Sequence, residues 1–438
     1  LLKNSIQLQF SVYSTANRYC QMNTQNMPKI LPFKAIRPTR DKVSLLASRS
    51  YESYTPEERE SRLRDNPFSF LQILNPGFKY QKEISGKRRY TLIKNRYQEF
   101  KEDEIFMQDS TPCYYFYKIV NRDGLEFHGI VAAASAEDYE NNRIKKHEAT
   151  IEYRENTFKE YLKTVGFNAE AVLLTYPDHS EIENIFSKVM ETRAEYEFTT
   201  TYRDTHYVWN VADKKIITQL QAYFAEMDAV YIADGHHRSS SSALLARDLM
   251  GKNKKHTGEE SYNYFMSFLI PESDLKIYEF NRLVKDLNGF SKEEFLIKLD
   301  AMYRIENRGI AYYKPSKKQH FSMYLDGEFY SLYLRKNNYK IKNALDGLDT
   351  QILYTTILKP ILGINDVRND TRLAYADGKK DLVFVKGEVD KGNFTVGFGL
   401  LPVSVAEMKQ IADEGLTMPP KSTYIEPKLR SGVTIYEF

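Results

Sequence analysis

The chain has 438 residues, with 62 basic against 59 acidic side chains and a net charge of +3. It is 42% hydrophobic, 28% charged and 13% aromatic, a globular composition rather than a disordered one, and the near charge balance argues against a general nucleic-acid binder. Two cysteines, Cys20 and Cys113, exclude a disulfide framework and a cysteine zinc site, and no apolar run reaches the roughly 18 residues that span a bilayer.

The length suits two or three domains. Residues 1–26 lack a compact apolar core and a cleavage site, so no signal peptide is expected. Met27 opens the better-patterned "MPKILPFKAIRP", and residues 1–26 are expected to be a disordered upstream extension. A cytoplasmic location follows as the default. "KILPFKAIRP" predicts a short strand broken by prolines. "TPEERESRLRDN" predicts a helix with Thr55 as N-cap, Pro56 at its first position and acids in its first turn. "RYTLIKNRYQEFKEDE" is helical in pattern. Residues 113–135 predict a hairpin around Asn121-Arg122-Asp123-Gly124. A helix ending at Gly166, the buried strand "AEAVLLTYP" and the helix "HSEIENIFSKVMETRA" follow. A strand pair over 196–210, the helix "ADKKIITQLQAYFAEM" and the strand "AVYIA" come next.

Beyond these, "YNYFMSFLIP" predicts a buried strand and "FSKEEFLIKLDAMY" a helix. "HFSMYLDGEFYSLYLR" predicts a hairpin turning at Asp326-Gly327. "LDTQILYTTILKPILG" predicts a helix with Pro360 near its end. "DLVFVKG" and "FTVGFGLLP" predict strands, and "VSVAEMKQIADEG" a helix closed by Gly415. The tail from Leu416 is expected to be irregular. The fold class is therefore α+β, with mixed sheets and antiparallel hairpins, rather than a doubly wound parallel sheet. The expected division is an extension over 1–26, a core over 27–275, and a further α+β domain over 276–438 whose tail returns to the site.

The densest polar cluster is "AVYIADGHHRSSSSALLARD". An apolar strand delivers the chain to Asp234, and Gly235 permits a backbone geometry that other residues resist. Ser239 to Ser242 begin a helix. A helix start exposes N–H groups and the positive end of the macrodipole. With Arg238 and the hydroxyls of Ser239 and Ser240, the segment suits a phosphate. His236 and His237 add donors that titrate near neutrality, and Asp234 could hold magnesium or orient a histidine. The plain alternative is an N-cap with one histidine packed in the core. The P-loop pattern is absent, as is the second histidine of a His-Glu-x-x-His site around His147 and Glu148.

Two further clusters stand out. "EDYENNRIKKHEAT" places His147 and Glu148 at a helix start, where Glu148 favours the positive helix end and the lysines form a solvated face. As function, both could meet a ligand at the same edge. "MPPKSTYIEPKL" holds Lys421 and Lys428 in proline-constrained geometry, as a strap or as a loop closing over phosphates.

With these segments quoted, the chain resembles the bacterial family called domain of unknown function 1015. The matching stretches are "ILPFKAIRPT", "NPFSFLQI", "DYENNRIKKHEAT", "LLTYPD", "IADGHHRSSSSAL" and "MPPKSTYIEPKLRSG", from about Pro28 to Val433. Members usually carry Pro-Tyr-Asp where this chain has Ser50-Tyr51-Glu52, so the carboxylate is kept one methylene longer on a less constrained loop. The family is similar to the ParB and sulfiredoxin-like fold, in which a motif at a helix start binds nucleotide phosphates. Free-serine kinases of that fold carry Asp-Gly-His-x-Arg, matched here by Asp234, Gly235, His236 and Arg238. The resemblance implies a nucleotide-dependent phosphotransferase or phosphohydrolase, such as a kinase of a small hydroxyl metabolite. ATP or ADP with Mg2+ would be its cofactors. Gly235, Arg238, Ser239, Ser240, His147 and Lys421 would hold phosphates, and Asp234 the metal. His236 or His237 would handle a proton, with Glu52 or Glu148 as base. The rival is a non-catalytic nucleotide-binding ParB-like module, homodimeric and possibly DNA-associated, although no helix-turn-helix or basic stripe is present. A third alternative is a scaffold whose site has drifted.

Overall fold

The computed structural model describes residues 27–376 and 378–438; the upstream extension and Cys20 lie outside the described residues. The chain forms two compact units. Among the described residues the first comprises 27–145, Thr150–Asp274 and Pro427–Phe438; the second comprises Lys146–Ala149 and Leu275–Glu426. Helices and strands are mixed in both, and the fold is α+β.

In the first unit nine described strands form one sheet. Its centre is the hairpin Tyr114–Val120 and Glu126–Ser135, which pairs antiparallel as the turn signal at Asn121–Gly124 requires. Tyr264–Pro271 lies antiparallel to Glu126–Ser135 and parallel to Val172–Tyr176. Val230–Asp234 then pairs antiparallel with Val172–Tyr176 and parallel with Ile144–Lys145. On the other side come Thr205–Val211 and Tyr196–Thr199, and Ile30–Leu31, the ninth strand, pairs antiparallel with Glu126–Ser135. The helices Ser180–Met190 and Lys214–Ala225 press Phe186, Leu220 and Phe224 onto Phe116, Leu174 and Ile232, all buried in one core. The helix Pro56–Asp65 starts where Thr55 predicts: its side chain accepts from the Glu58 N–H, and Glu58 accepts from the Thr55 N–H in return. Cys113 is a buried free thiol.

The second unit is built on six antiparallel strands, ordered Tyr303–Gly309, Glu328–Leu334, His320–Leu325, Val396–Gly399, Asn281–Val284 and Leu373–Ala376. The hairpin at Asp326-Gly327 forms as expected, with Asp326 at φ 51° and Gly327 at φ 79°. The segment around Pro360 is less regular than its pattern suggests: a helix over Asp349–Leu353 widens into a π-type turn over Tyr354–Leu358. The tail is more regular than expected, since Tyr424–Glu426 pairs with Lys276–Tyr278 in this unit and Tyr436–Glu437 pairs with Phe167–Asn168 in the first.

"DLVFVKG" is a helix, Leu382–Asp390, and not a strand. Asp381 caps it by accepting from the Val383 and Phe384 N–H groups. Leu382 and Val385 are buried, while Val383 is 58% exposed, a helical rather than an alternating pattern. The strand beneath makes room with glycines. A Cβ at Gly397 would fall 2.1 Å from Val385 Cγ1, and one at Gly399 2.5 Å from Leu382 Cδ2. Gly397→Ala is therefore expected to cost about 1–3 kcal/mol through overpacking, read as a lower urea midpoint with unchanged slope. An unchanged midpoint would show that the helix can shift without penalty.

Candidate functional site

The Asp-Gly-His-His-Arg segment sits at a strand-to-helix junction. The strand Val230–Asp234 has four buried residues before Asp234. Its register against Val172–Tyr176 slips between Ile232 and Asp234, an irregularity of the kind that re-aims a side chain at the end of a strand. Gly235 follows at φ 102° as the N-cap of the helix His236–Met250. No L side chain adopts that φ readily. The glycine also leaves the N-cap without a capping side chain, where Ser, Asp or Asn would normally satisfy an N–H.

Space at Gly235 is the second constraint. A Cβ there would lie 3.1 Å from Arg238 Cζ and Nε and 3.2 Å from Nη2. The guanidinium curls back over the turn. It donates to the Ala171 carbonyl and, at 3.1 Å, to Asp234 Oδ2. Lys428 Nζ lies 3.4 Å from the same carboxylate oxygen. Burial works against the charged form of Asp234, but Lys428, Arg238 and His236 outweigh it and hold the carboxyl down at about 2. One carboxylate and two cations thus meet at the positive end of a 15-residue helix.

The serines turn inward. Ser239 donates to the carbonyls of Gly235 (3.3 Å) and His236 (3.0 Å), and Ser240 to Glu155 Oε1. Ser241 and Ser242 donate to the carbonyls of His237 and Arg238. Both Ser239 and Ser240 are buried, so their hydroxyls serve the helix and its packing in this conformation. The Ser239 N–H is likewise taken by the Gly235 carbonyl. His236 is buried and His237 half-buried. The Asp234 carboxylate, expected from the sequence as a magnesium ligand, faces the guanidinium of Arg238 and the ammonium of Lys428.

Glu52 lies in a short turn, Tyr51–Ser53, and is exposed. Two residues before it, Ser50 contacts a carboxylate that no sequence motif marks. Glu170 accepts from Ser50 Oγ at 3.2 Å and from Ser431 Oγ at 3.1 Å. It directly precedes Ala171, whose carbonyl receives Arg238. Nothing local in "FNAEAV" marks it, because its partners lie 120 and 261 residues away. His147, Glu148 and Lys421 belong to the second unit. There His147 is buried and its carbonyl accepts from the Met418 N–H at 2.9 Å. Glu148 is half-buried, and Lys421 is exposed at φ 57°.

No helix among the described residues is long and apolar enough to cross a membrane. No match was found among curated proteins. Among solved structures, the chain is similar to a mutant free serine kinase in complex with AMP, at 13% identity and a TM-score of 0.36, over 70% of this chain and 91% of that one. It is similar to a conserved hypothetical protein from Pyrococcus furiosus at 13% identity and a TM-score of 0.34, over 70% and 94%. It is also similar to C-terminally truncated SbnI from Staphylococcus aureus, at 12% identity and a TM-score of 0.36, over 69% and 85%. A family model matches residues 30–351, nearly three quarters of the chain, and the protein accordingly belongs to the family described as protein of unknown function (DUF1015).

Proposed function

We propose that the first unit binds the phosphates of a nucleotide at the turn around Gly235 and uses them in phosphoryl transfer to a small hydroxyl metabolite or to water. The observation that carries this is the uncapped helix start at a left-handed glycine, with Arg238 and Lys428 beside it and one carboxylate between them. Helix N–H groups with a guanidinium and an ammonium beside them suit oxyanions. Phosphoryl transfer asks mainly for such positioning and charge neutralisation.

On this proposal Arg238 exchanges its bond to Asp234 for a phosphate oxygen, and Asp234 stays ionised to receive Lys428. The turn itself, Gly235 with the first helical residues, supplies the backbone donors; Ser239 and Ser240 hold the helix. His236 or His237 handles the proton of the acceptor. Glu52 remains a candidate base, and Glu170, which directly precedes the Ala171 carbonyl that receives Arg238, is another. Magnesium would arrive with the nucleotide as part of the substrate.

Thermal melting of the full chain with ATP, ADP and CTP, each with magnesium, tests the proposal. At 100 times the dissociation constant a ligand adds about 2.7 kcal/mol to stability, so a rise of several degrees is expected with at least one nucleotide. Arg238→Ala is expected to abolish most of it. Equal melting with and without every nucleotide removes the proposal. Binding without any release of ADP or phosphate, whichever acceptor is supplied, assigns a binding module instead.

A further inference from the structure

Among the described residues, arginine side chains held out of water are matched with acids, with one exception. Arg37 has Asp109 and Glu195, and Arg430 has Asp204. Arg282, on the strand Asn281–Val284 of the second unit, is only 3% exposed. Among the described residues it forms no ion pair. Its guanidinium donates to two backbone carbonyls instead, those of Phe280 and, at 3.1 Å, Lys421. The Tyr375 ring, with its centroid 5.3 Å from Arg282 Cζ, gives it partial cover. Burial lowers the group to about 10, so it is still a full charge at neutral pH. An unmatched charge held out of water is costly.

Two acids of the same unit, Glu279 and Glu426, face other cations. Glu279 faces Lys314 at 3.4 Å, and Glu426 faces Lys379. Lys421, whose carbonyl Arg282 holds, is a second cation with no ion pair among the described residues. Its side chain is exposed, its Nζ stands 5.3 Å from the Phe280 ring centroid, and its backbone is in the left-handed region. A lysine adopts that backbone only where its surroundings fix it, and here the bond from Arg282 is one tie, beside that from Ser422 Oγ to the Pro419 carbonyl.

We infer that Lys421 and Arg282 form an anion site of the second unit, in which the Lys421 ammonium contacts a phosphate-class oxyanion. Arg282 is the positioning residue. It helps fix the Lys421 backbone and supplies the charge behind it. Two unmatched positive charges suit a dianion, and lysine is a common point-charge partner of phosphate. The site stands on the second unit alone and does not depend on nucleotide binding in the first.

The test is melting of the full chain in inorganic phosphate against sodium chloride at equal ionic strength. Phosphate is expected to raise the melting temperature beyond chloride. Lys421→Ala is expected to remove at least half of that increment, and Arg238→Ala to leave the part that depends on Lys421. Arg282→Lys keeps a charge but shortens its reach to the Lys421 carbonyl. It is expected to raise the phosphate concentration for half-maximal effect by about threefold or more. A merely structural role would lower the baseline melting temperature and leave that concentration unmoved, which would overturn the part given to Arg282. If Arg282→Lys does not fold, the Lys421→Ala comparison decides alone. No increment over chloride, or the same increment in Lys421→Ala as in the wild type, overturns the site. So does an increment lost in Arg238→Ala and intact in Lys421→Ala, which would place the anion in the first unit.

Discussion

Arg37→Met is expected to destabilise the protein by about 3–5 kcal/mol. The side chain is 6% exposed and ends in a network drawn from four distant segments. Its Nε lies 2.9 Å from both oxygens of Asp109, and Nη2 is 2.8 Å from Oδ1. Nη1 reaches Glu195 at 3.1 Å and the Tyr196 hydroxyl at 2.7 Å. Asp109 in turn accepts from the Tyr115 hydroxyl, which accepts from the Ala35 N–H. Burial opposes the charge on Arg37, but Asp109 and Tyr196 outweigh it and its affinity for the proton is raised. Methionine fills the volume and leaves Asp109 as an unmatched buried carboxylate. The expected loss is read from urea unfolding at pH 7. Pairing Arg37→Met with Asp109→Leu is expected to recover much of it, because the penalty comes mainly from the stranded charge. A loss below about 1 kcal/mol in the single variant would show that water reaches the network.

The second large effect is a loss of stability on acidification that is carried by His206. The imidazole is 1% exposed and stacks on Phe198, with centroids 5.0 Å apart at 14°. Nδ1 faces the Tyr117 hydroxyl at 3.1 Å, and Nε2 faces Arg430 Nε at 3.5 Å. An arginine donor requires a bare Nε2, so the ring is neutral with its proton on Nδ1. Arg430 itself is tied to Asp204 at 2.5 Å. Burial, aided by the Arg430 charge, pushes His206 down to about 3. The unfolded ring takes a proton near pH 6.5, and the folded ring does not until about pH 3. The stabilisation is whole above 6.5 and is lost as pH falls from there towards 3, to a total of about 4–5 kcal/mol. Between pH 6.5 and 5, before most carboxylates titrate, the loss attributable to His206 approaches about 1.4 kcal/mol per pH unit. His206→Phe keeps the stack and removes the titration. Its stability should fall less steeply than the wild type over that interval, and parallel slopes would refute the assignment.

Local signals sufficed wherever the structure is decided locally. Thr55, Pro56 and Glu58 announced the helix Pro56–Asp65, and Asn121–Gly124 announced the central hairpin. The junction at Asp234-Gly235 was legible because an apolar strand, a glycine and a helical pattern follow one another directly. The helix Leu382–Asp390 was misread because Val-Phe-Val favours strands locally, whereas Asp381 and the glycine-bearing strand beneath decide otherwise. The fold-back of Arg238 was not legible at all. It depends on Ala171, 67 residues earlier, and shares Asp234 with Lys428, 194 residues later. Glu170 and Arg282 were missed for the same reason: their chemistry arises from partners brought together only by the fold.

The segment Pro427–Phe438 has a consequence for biosynthesis. It belongs to the first unit, where Ser431 bridges Ser48, Ile435 bridges Ile36, and Tyr436–Glu437 pairs with Phe167–Asn168. The ribosome reaches it only after making the whole of Leu275–Glu426, about 8 to 30 seconds after Asp274 has been added. Throughout that interval the nascent first unit has an open seam and lacks Lys428, so newly made chains should reach the final arrangement around Asp234 late and abruptly.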